Sequence, residues 1–207
     1  MSNSVTNPAS NLIRGNAIVQ DDWQLVRLPI VAEAVKKQAG KVVLFKLTGE
    51  TTASTEQIAG TAIPDGRVIV PLSVWLARKD TFAARLAAGE LGVWLETHEL
   101  VETLAKSTSD LNIFPVIAVN FERFPDGRGY STATLLRERY NFRNELRATG
   151  DVLRDQLFLM KRCGFNAYQI RADRSAEDAL ASLQDFSEPY QGAVDIPEPL
   201  WRRHARL

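Results

Sequence analysis

From Arg67 onward the chain repeats one pattern five times: a short apolar run, then a longer segment with helical spacing. The runs are RVIVPL, LGVWLE, VIAVNF, ELRAT and AYQIRA. Strands that alternate with helices build βαβ units, and the strands of such units lie parallel. Nearly continuous apolar strands fit a sheet covered on both faces. The sequence therefore predicts an α/β fold of five consecutive βα units. Five units are fewer than the eight of a closed barrel. Two architectures remain: an open twisted sheet, or an incomplete TIM-like barrel closed by the N-terminal strands or by a second chain. No long crossover interrupts the units, which favours the incomplete barrel.

The segments between the runs carry their own signals. After Thr97, Leu100, Val101, Leu104 and Ala105 recur at helical spacing. After Asp151, which is placed to cap a helix, Val152, Leu153, Leu157, Met160 and Cys163 form a broad apolar face, and Gly164 is a natural stop. Ser175 is an N-cap for a stripe of Ala179, Leu180, Leu183 and Phe186. Before Arg67 the pattern differs. Residues 1–11 are polar and expected to fray. Leu12 to Val26 reads as a hairpin or small meander, residues 30–39 as a short helix, Lys41 to Leu47 as a strand, and Gly49 to Gly66 as a linker. The expected organisation is a small N-terminal β appendage with its linker (12–66), a βα core (67–190) and a tail (191–207). Three prolines, Pro189, Pro197 and Pro199, prevent the end of the chain from forming one regular helix. Trp201 among Arg202, Arg203, His204 and Arg206 is either a surface anchor or a packed residue in a solvated tail.

Composition removes several function classes. Lys plus Arg and Asp plus Glu both number 25, so the formal net charge is zero and no overall attraction to nucleic acid or to an anionic membrane is expected. One cysteine, Cys163, cannot hold a four-cysteine iron–sulfur cluster, and with two histidines a zinc centre within the chain is not expected. Cys163 lies late in an apolar helix and reads as a small core residue. No apolar window is long enough for a membrane span, and the polar start MSNSVTNPASN lacks a secretory pattern, so a cytoplasmic location is expected.

In parallel α/β folds ligands sit beyond the carboxyl ends of the strands. After VIAVNF come Asp126, Arg128 and Tyr130; after ELRAT come Asp151 and Arg154; after AYQI comes Arg171. Arg147 lies within its strand and points inward or toward the mouth. Helices begin soon after each loop, and their free N–H groups favour anions. The expected site has Asp126, Tyr130 and Asp151 as catalytic groups, and Arg128, Arg147, Arg154 and Arg171 holding a small oxyanion, phosphate or carboxylate. A plainer account exists beside it. Pro125-Asp126-Gly127 is a turn signal, Ser131 a helix cap, and Asp155 with Arg154 either faces solvent or bonds to Arg147. The spacing Gly127-x-Gly129 is not a dinucleotide fingerprint, and no P-loop is present.

The stretches FPDGRGYS (Phe124–Ser131), LLRERY (Leu135–Tyr140) and ELRATGDVLRDQLF (Glu145–Phe158) resemble a bacterial family called Domain of Unknown Function 934. VPLSVWL (Val70–Leu76), LGVWLE, VIAVNF and DFSEPYQGAVD (Asp185–Asp195) fit the same family, so the likeness runs over about residues 67–195. Members are labelled oxidoreductases of sulfite reduction. The resemblance thus implies an oxidoreductase or accessory protein of assimilatory sulfite reduction, with sulfite reductase as a partner. The chain shows no siroheme, iron–sulfur, zinc or dinucleotide signature of its own, so redox work would use a cofactor that is borrowed or held by a partner. Two alternatives stand beside this: a non-catalytic module docking on sulfite reductase, and a βα-barrel-type enzyme binding a small anionic substrate. Open sheet edges suggest a homodimer.

Overall fold

The computed structural model describes residues 11–28 and 53–203. Strands β1 (Leu12–Arg14), β2 (Ala17–Val19) and β3 (Gln24–Leu25) come first. Helix α1 (Thr55–Ala59) leads to β4 (Val68–Pro71), α2 (Leu72–Arg78), α3 (Ala83–Ala87) and β5 (Leu91–Glu96). Then follow α4 (Val101–Ser107), β6 (Val116–Phe121), α5 (Arg128–Glu138), β7 (Glu145–Gly150) and α6 (Leu157–Arg162). The chain closes with β8 (Ala167–Gln169), α7 (Ala176–Ser182) and α8 (Leu200–Arg203). The expected helix over 30–39 and strand over Lys41–Leu47 lie outside the described residues.

All eight strands form one mixed sheet in the order β2-β1-β8-β7-β6-β5-β4-β3. Strands β3 to β8 are parallel and follow chain order; the β1–β2 hairpin joins β8 antiparallel. This corrects the expectation of a purely parallel five-unit sheet with a separate β appendage. The N-terminal strands are the two edges of the main sheet. Strand β2 ends one edge, β3 ends the other, and four residues, Gln20 to Trp23, join them. Those residues span at most about 18 Å. The edges of a flat eight-stranded sheet would stand about 34 Å apart. The sheet is therefore curled into an open half-barrel. Strand β2 ends level with Gln169, at the carboxyl end of the parallel strands, and β3 begins level with Val68, at their amino end. The connection must cross the open side of the half-barrel from one end to the other.

Two apolar layers result. Outside, residues such as Val70, Val93, Val119 and Ala148 meet the helices in the larger core. Inside, Trp23, Ile69, Trp94, Val116 and Ala118 pack in a second cluster. Burial on both faces is why β4 to β6 read as nearly continuous apolar runs. Trp75 and Trp94 are both buried, one in each layer.

Local chemistry sets several boundaries. Ser54 and Gln57 form a reciprocal capping box that starts α1 inside the segment read as linker. Ser175 caps α7 as expected, its Oγ accepting from Asp178 N at 3.0 Å. Ser131 does not cap α5, which starts three residues earlier at Arg128. The Asp126 carboxylate accepts from Arg128 N, at the first residue of the helix, at 3.2 Å. Gly129 is required by packing, not by a turn: a Cβ there would lie 2.5 Å from Cζ of Phe121. Phe186 lies beyond the end of α7 and is 63% exposed, so the α7 stripe stops short of it.

The outer layer is pinned by a buried cation. Arg137 of α5 donates through Nε to Gly164 O (2.9 Å) and through Nη1 to Phe142 O (2.7 Å) and Asn144 O (3.0 Å). Burial lowers its pKa to about 10, yet it stays charged at neutral pH. Arg137→Met keeps an unbranched, flexible stem and strands three carbonyls. At about 1 kcal/mol each, the loss should be on the order of 3 kcal/mol. Urea denaturation should show a lower midpoint with an unchanged slope.

Candidate functional site

Alternation along the strands places one residue in two inside the half-barrel. The register aligns Trp94, Ala118, Arg147, Ala167 and Arg14 as one inner rung. Small side chains at Ala118 and Ala167 leave room for Trp94 and Arg147 on the same level. One rung nearer the mouth the register aligns Glu96, Asn120 and Thr149 on β5 to β7, and pairs Gln169 of β8 with Leu12. The interior thus changes from apolar to polar as it approaches the carboxyl ends of the strands, where α/β ligands sit.

Arg147 dominates this interior. Its side chain is 2% exposed, which a cation tolerates only when paired. Its Nε bonds Glu145 Oε1 at 2.7 Å on the same strand, and its Nη1 bonds Asp21 Oδ2 at 2.8 Å. Asp21 belongs to the crossing connection, so this pair fastens the open side to the middle of the sheet. Glu145 also accepts from Arg14 at 2.7 Å. The third nitrogen, Nη2, is buried and has no hydrogen-bond partner among the described residues. Arg147 lines a pocket of about 220 Å³ together with Asp21, Trp23, Arg27, Thr149 and Gln169. Trp23, Leu25 and Ile69 supply its apolar wall, and Gly150 its outer lip. Gly150 has φ of +90°, and a Cβ there would collide with the carbonyl oxygen of Phe121. A larger surface recess of about 550 Å³ runs along α1 and shares only Arg27 with this pocket.

The loop-tip residues Asp126, Arg128, Tyr130, Asp151, Arg154 and Arg171 do not line this pocket. Asp126 binds Arg128 through two oxygens, at 2.9 and 2.7 Å, and accepts from Thr97 Oγ1. The Arg128 guanidinium holds the Asp126 carboxyl well below the usual range. Asp151 joins two loops: Oδ2 accepts from Phe124 N at 2.9 Å, and Oδ1 pairs with Arg171 Nη1 at 2.5 Å. Asp151 is therefore a loop tie and not a helix cap. The turn into α6 is formed instead by Gln156, whose Oε1 accepts from Leu153 N at 3.0 Å. Arg171 is engaged a second time by Asp173. Arg154 and Asp155 face solvent, and neither bonds to Arg147. Tyr130 lies on the helix side of the sheet, its ring 5.5 Å from that of Phe121, and burial raises its pKa. Cys163 is half-buried, and burial raises its thiol pKa as well. Of the sequence-named residues, Arg147 alone lines the interior pocket; Arg128 and Arg171 each carry a carboxylate partner.

Sequence reasoning missed Asp21, Arg27, Glu96, Asn120, Thr149 and Gln169. A signal for four of them was present. Glu96, Asn120, Thr149 and Gln169 are polar residues at the last inward positions of otherwise apolar strands. Among the described residues no group of three or more His, Cys, Asp or Glu side chains is placed to hold a metal ion.

The mouth also holds two carboxyls whose ionisation is disfavoured. Glu96 accepts from Asn120 Nδ2 at 2.9 Å, and burial raises its pKa. Glu99 accepts from the backbone N–H of Glu96 at 2.8 Å, and burial pushes it up to about 7. For an acid whose folded pKa is raised, stability is fully present below the unfolded value, here 4.5, and is lost as pH rises through about 7. Glu99→Gln keeps the acceptor and removes the charge. It should raise stability at pH 8 by on the order of 2 kcal/mol and leave it nearly unchanged at pH 4. Thermal melts at the two pH values check this.

No curated protein and no solved structure matches the chain. A family model described as bacterial protein of unknown function (DUF934) matches residues 92–201, which run from β5 to α8. The matched segment is just over half of the 207 residues and holds Glu96, Asn120, Arg147, Thr149 and Gln169. The chain belongs to the DUF934 family.

Proposed function

We propose that this protein binds a small oxyanion inside a TIM-like half-barrel and serves sulfite reduction in the cytoplasm, sulfite being the oxyanion to which its family resemblance points. One observation carries this reading: a fully buried guanidinium, Arg147, lines an interior pocket and keeps one donor nitrogen unpartnered among the described residues. A buried donor left unpaired costs on the order of 1–3 kcal/mol, and an anion oxygen removes that cost. Thr149 and Gln169 add neutral donors and Arg27 a second cation at the rim. About 220 Å³ lies below the usual range for drug-sized ligands and suits an anion of a few heavy atoms. A nicotinamide or flavin does not fit in that volume, so redox turnover would take its electrons from a cofactor on a partner, for which sulfite reductase is the proposed candidate.

A second reading, a docking module for sulfite reductase, draws on the tail. Phe186, Tyr190 and Trp201 are 63%, 63% and 48% exposed, with Tyr190 and Trp201 in ring contact at 5.2 Å. Arg203 bonds Pro189 O at 3.0 Å and Glu188 at 3.2 Å beside Tyr190, while Phe186 packs on Phe158 with ring centroids 4.8 Å apart. Co-purification of the two proteins that is lost on deleting residues 198–207 would favour this reading. The same fractionation tests the proposed homodimer.

Calorimetric titration with sodium sulfite at low ionic strength tests the anion site. One saturable site is expected, weakened about tenfold in Arg27→Gln, which is the loss of one rim charge. Thr149→Val should weaken it less, and Arg147→Gln should remove it. Arg27→Gln and Thr149→Val decide the matter if Arg147→Gln does not fold. Neither heat nor a change in melting temperature at high millimolar sulfite would overturn the reading.

A further inference from the structure

The interior pocket has two unlike sides. Arg147 and Thr149 on β7, with Gln169 at the end of β8, line one of them. Trp23, Leu25 and Ile69, from the crossing connection, β3 and β4, line the other. Strands β5 and β6 lie between β4 and β7, so the curl of the sheet brings the polar side opposite the apolar one. Leu25 pairs with Ile69, and both pack with Trp23 and Trp94 in the inner cluster. The apolar side is thus a part of the core that faces a cavity.

The polar side has donors for one acid group. Nε and Nη1 of Arg147 are taken by Glu145 and Asp21, which leaves Nη2 to donate. Thr149 Oγ1 reaches Val119 O only at 3.4 Å, a long bond that a closer acceptor replaces. The space is larger than an inorganic oxyanion needs. At about 30 Å³ per water, the pocket of about 220 Å³ corresponds to about seven water molecules. An oxyanion such as sulfite has four heavy atoms. An apolar cavity of about 150 Å³ already holds a benzene ring. With only an oxyanion on the polar side, Trp23, Leu25 and Ile69 would still face water. Wet apolar surface is unfavourable, and a ligand with an apolar body covers it.

We propose that the pocket takes a small organic acid, a carboxylate or sulfonate on an apolar body of about three to five carbons, an inference that rests on the anion site proposed above. The acid head lies on Arg147 Nη2, Thr149 and Gln169. The body lies on Trp23, Leu25 and Ile69. An inorganic oxyanion makes the first set of contacts alone. A neutral molecule with the same body makes the second set alone and leaves Nη2 unpaired. A long chain outgrows the cavity, because Trp23 and Ile69, 9% and 1% exposed, are packed into the core and yield no room.

Straight-chain carboxylates from acetate to octanoate are the probe, because near neutral pH each carries one full charge and only the body changes. Calorimetric titration of the intact chain should show affinity rising by up to about fourfold per methylene as far as valerate, with no further gain at octanoate. Alkanesulfonates of the same lengths should rise in parallel, and the tighter series names the head. Valerate should bind about tenfold more tightly than sulfite, and about tenfold more tightly than valeramide, which keeps the body and lacks the charge. Leu25→Thr keeps a strand-forming residue on β3 and trims the apolar wall, so it should flatten the rise with chain length. Sulfite binding with no gain along either series, a rise just as steep in Leu25→Thr, or valeramide as tight as valerate would each overturn the organic-acid assignment while sulfite binding keeps the anion site standing. Acids that bind where sulfite does not would uphold the assignment and remove sulfite as the anion. No binding of sulfite or of any acid at high millimolar concentration would overturn the site and the assignment together.

Discussion

The ion cluster of Arg147 with Asp21 and Glu145 is the constraint on which the interior depends. A guanidinium 2% exposed is held there only because two carboxylates meet it, one from its own strand and one from the crossing connection. Breaking such a buried pair by removing one partner typically costs about 3–5 kcal/mol, because the remaining charge is left desolvated. Asp21 lies 126 positions from Arg147 in sequence. The pair is thus a long-range clamp that fixes where the open side of the half-barrel lies relative to its middle strand. The nearby Arg67 guanidinium, 5.8 Å from the Trp23 ring centroid and paired with Asp22, secures the same connection to β4.

Curling follows from chain length, and the clamp makes it specific. A four-residue connection between the outermost strands rules out a flat sheet. Several interiors are compatible with that restraint. The alternation of bulky and small residues on one rung, Trp94 and Arg147 against Ala118 and Ala167, selects an interior with space on the polar side. Trp94 donates from its indole to Val26 O at 2.9 Å, so the largest interior side chain also holds the chain just after β3. The pocket is what remains when these groups are satisfied, and its polar lining comes from Arg147, Thr149 and Gln169 on the strands together with Asp21 and Arg27.

Much of the frame is written in short-range pattern. The five apolar runs each became a strand, because a strand buried on both faces needs continuous apolarity wherever it lies in the sheet. The Ser175 cap and the Gly164 stop were equally legible, since both depend on a few neighbouring residues. What could not be read were pairings across the chain. Nothing in LIRGNAIVQDDWQL says that the hairpin joins β8 while Gln24 and Leu25 join β4, because both edges of an open sheet offer the same backbone groups. The loop FPDGRGYS misled for a different reason. Its glycines suggest a turn, yet Gly129 sits in α5 because the Phe121 ring lies against it. The loop-tip arginines suggest ligand groups because nothing local in the sequence says which carboxylate each will meet. In the fold each guanidinium that has such a carboxylate within reach is paired with it.

The division of the site between two stretches of chain bears on what the family likeness can carry. Residues 92–201 supply the inward donors Arg147, Thr149 and Gln169 and the carboxyl of Glu96. The preceding segment supplies Asp21 and Trp23 from the crossing connection and Arg27 from just after β3. A relative sharing only the matched segment would keep the buried guanidinium and the mouth rung. It would lose the Asp21 carboxylate that pairs with the guanidinium, and the Arg27 charge at the pocket. Arg147 without Asp21 would keep Glu145 alone as a carboxylate partner and carry more uncompensated charge. Glu96 without Arg27 would hold its proton to higher pH. The buried guanidinium is thus set in β7, while half of its compensating charge comes from the crossing connection.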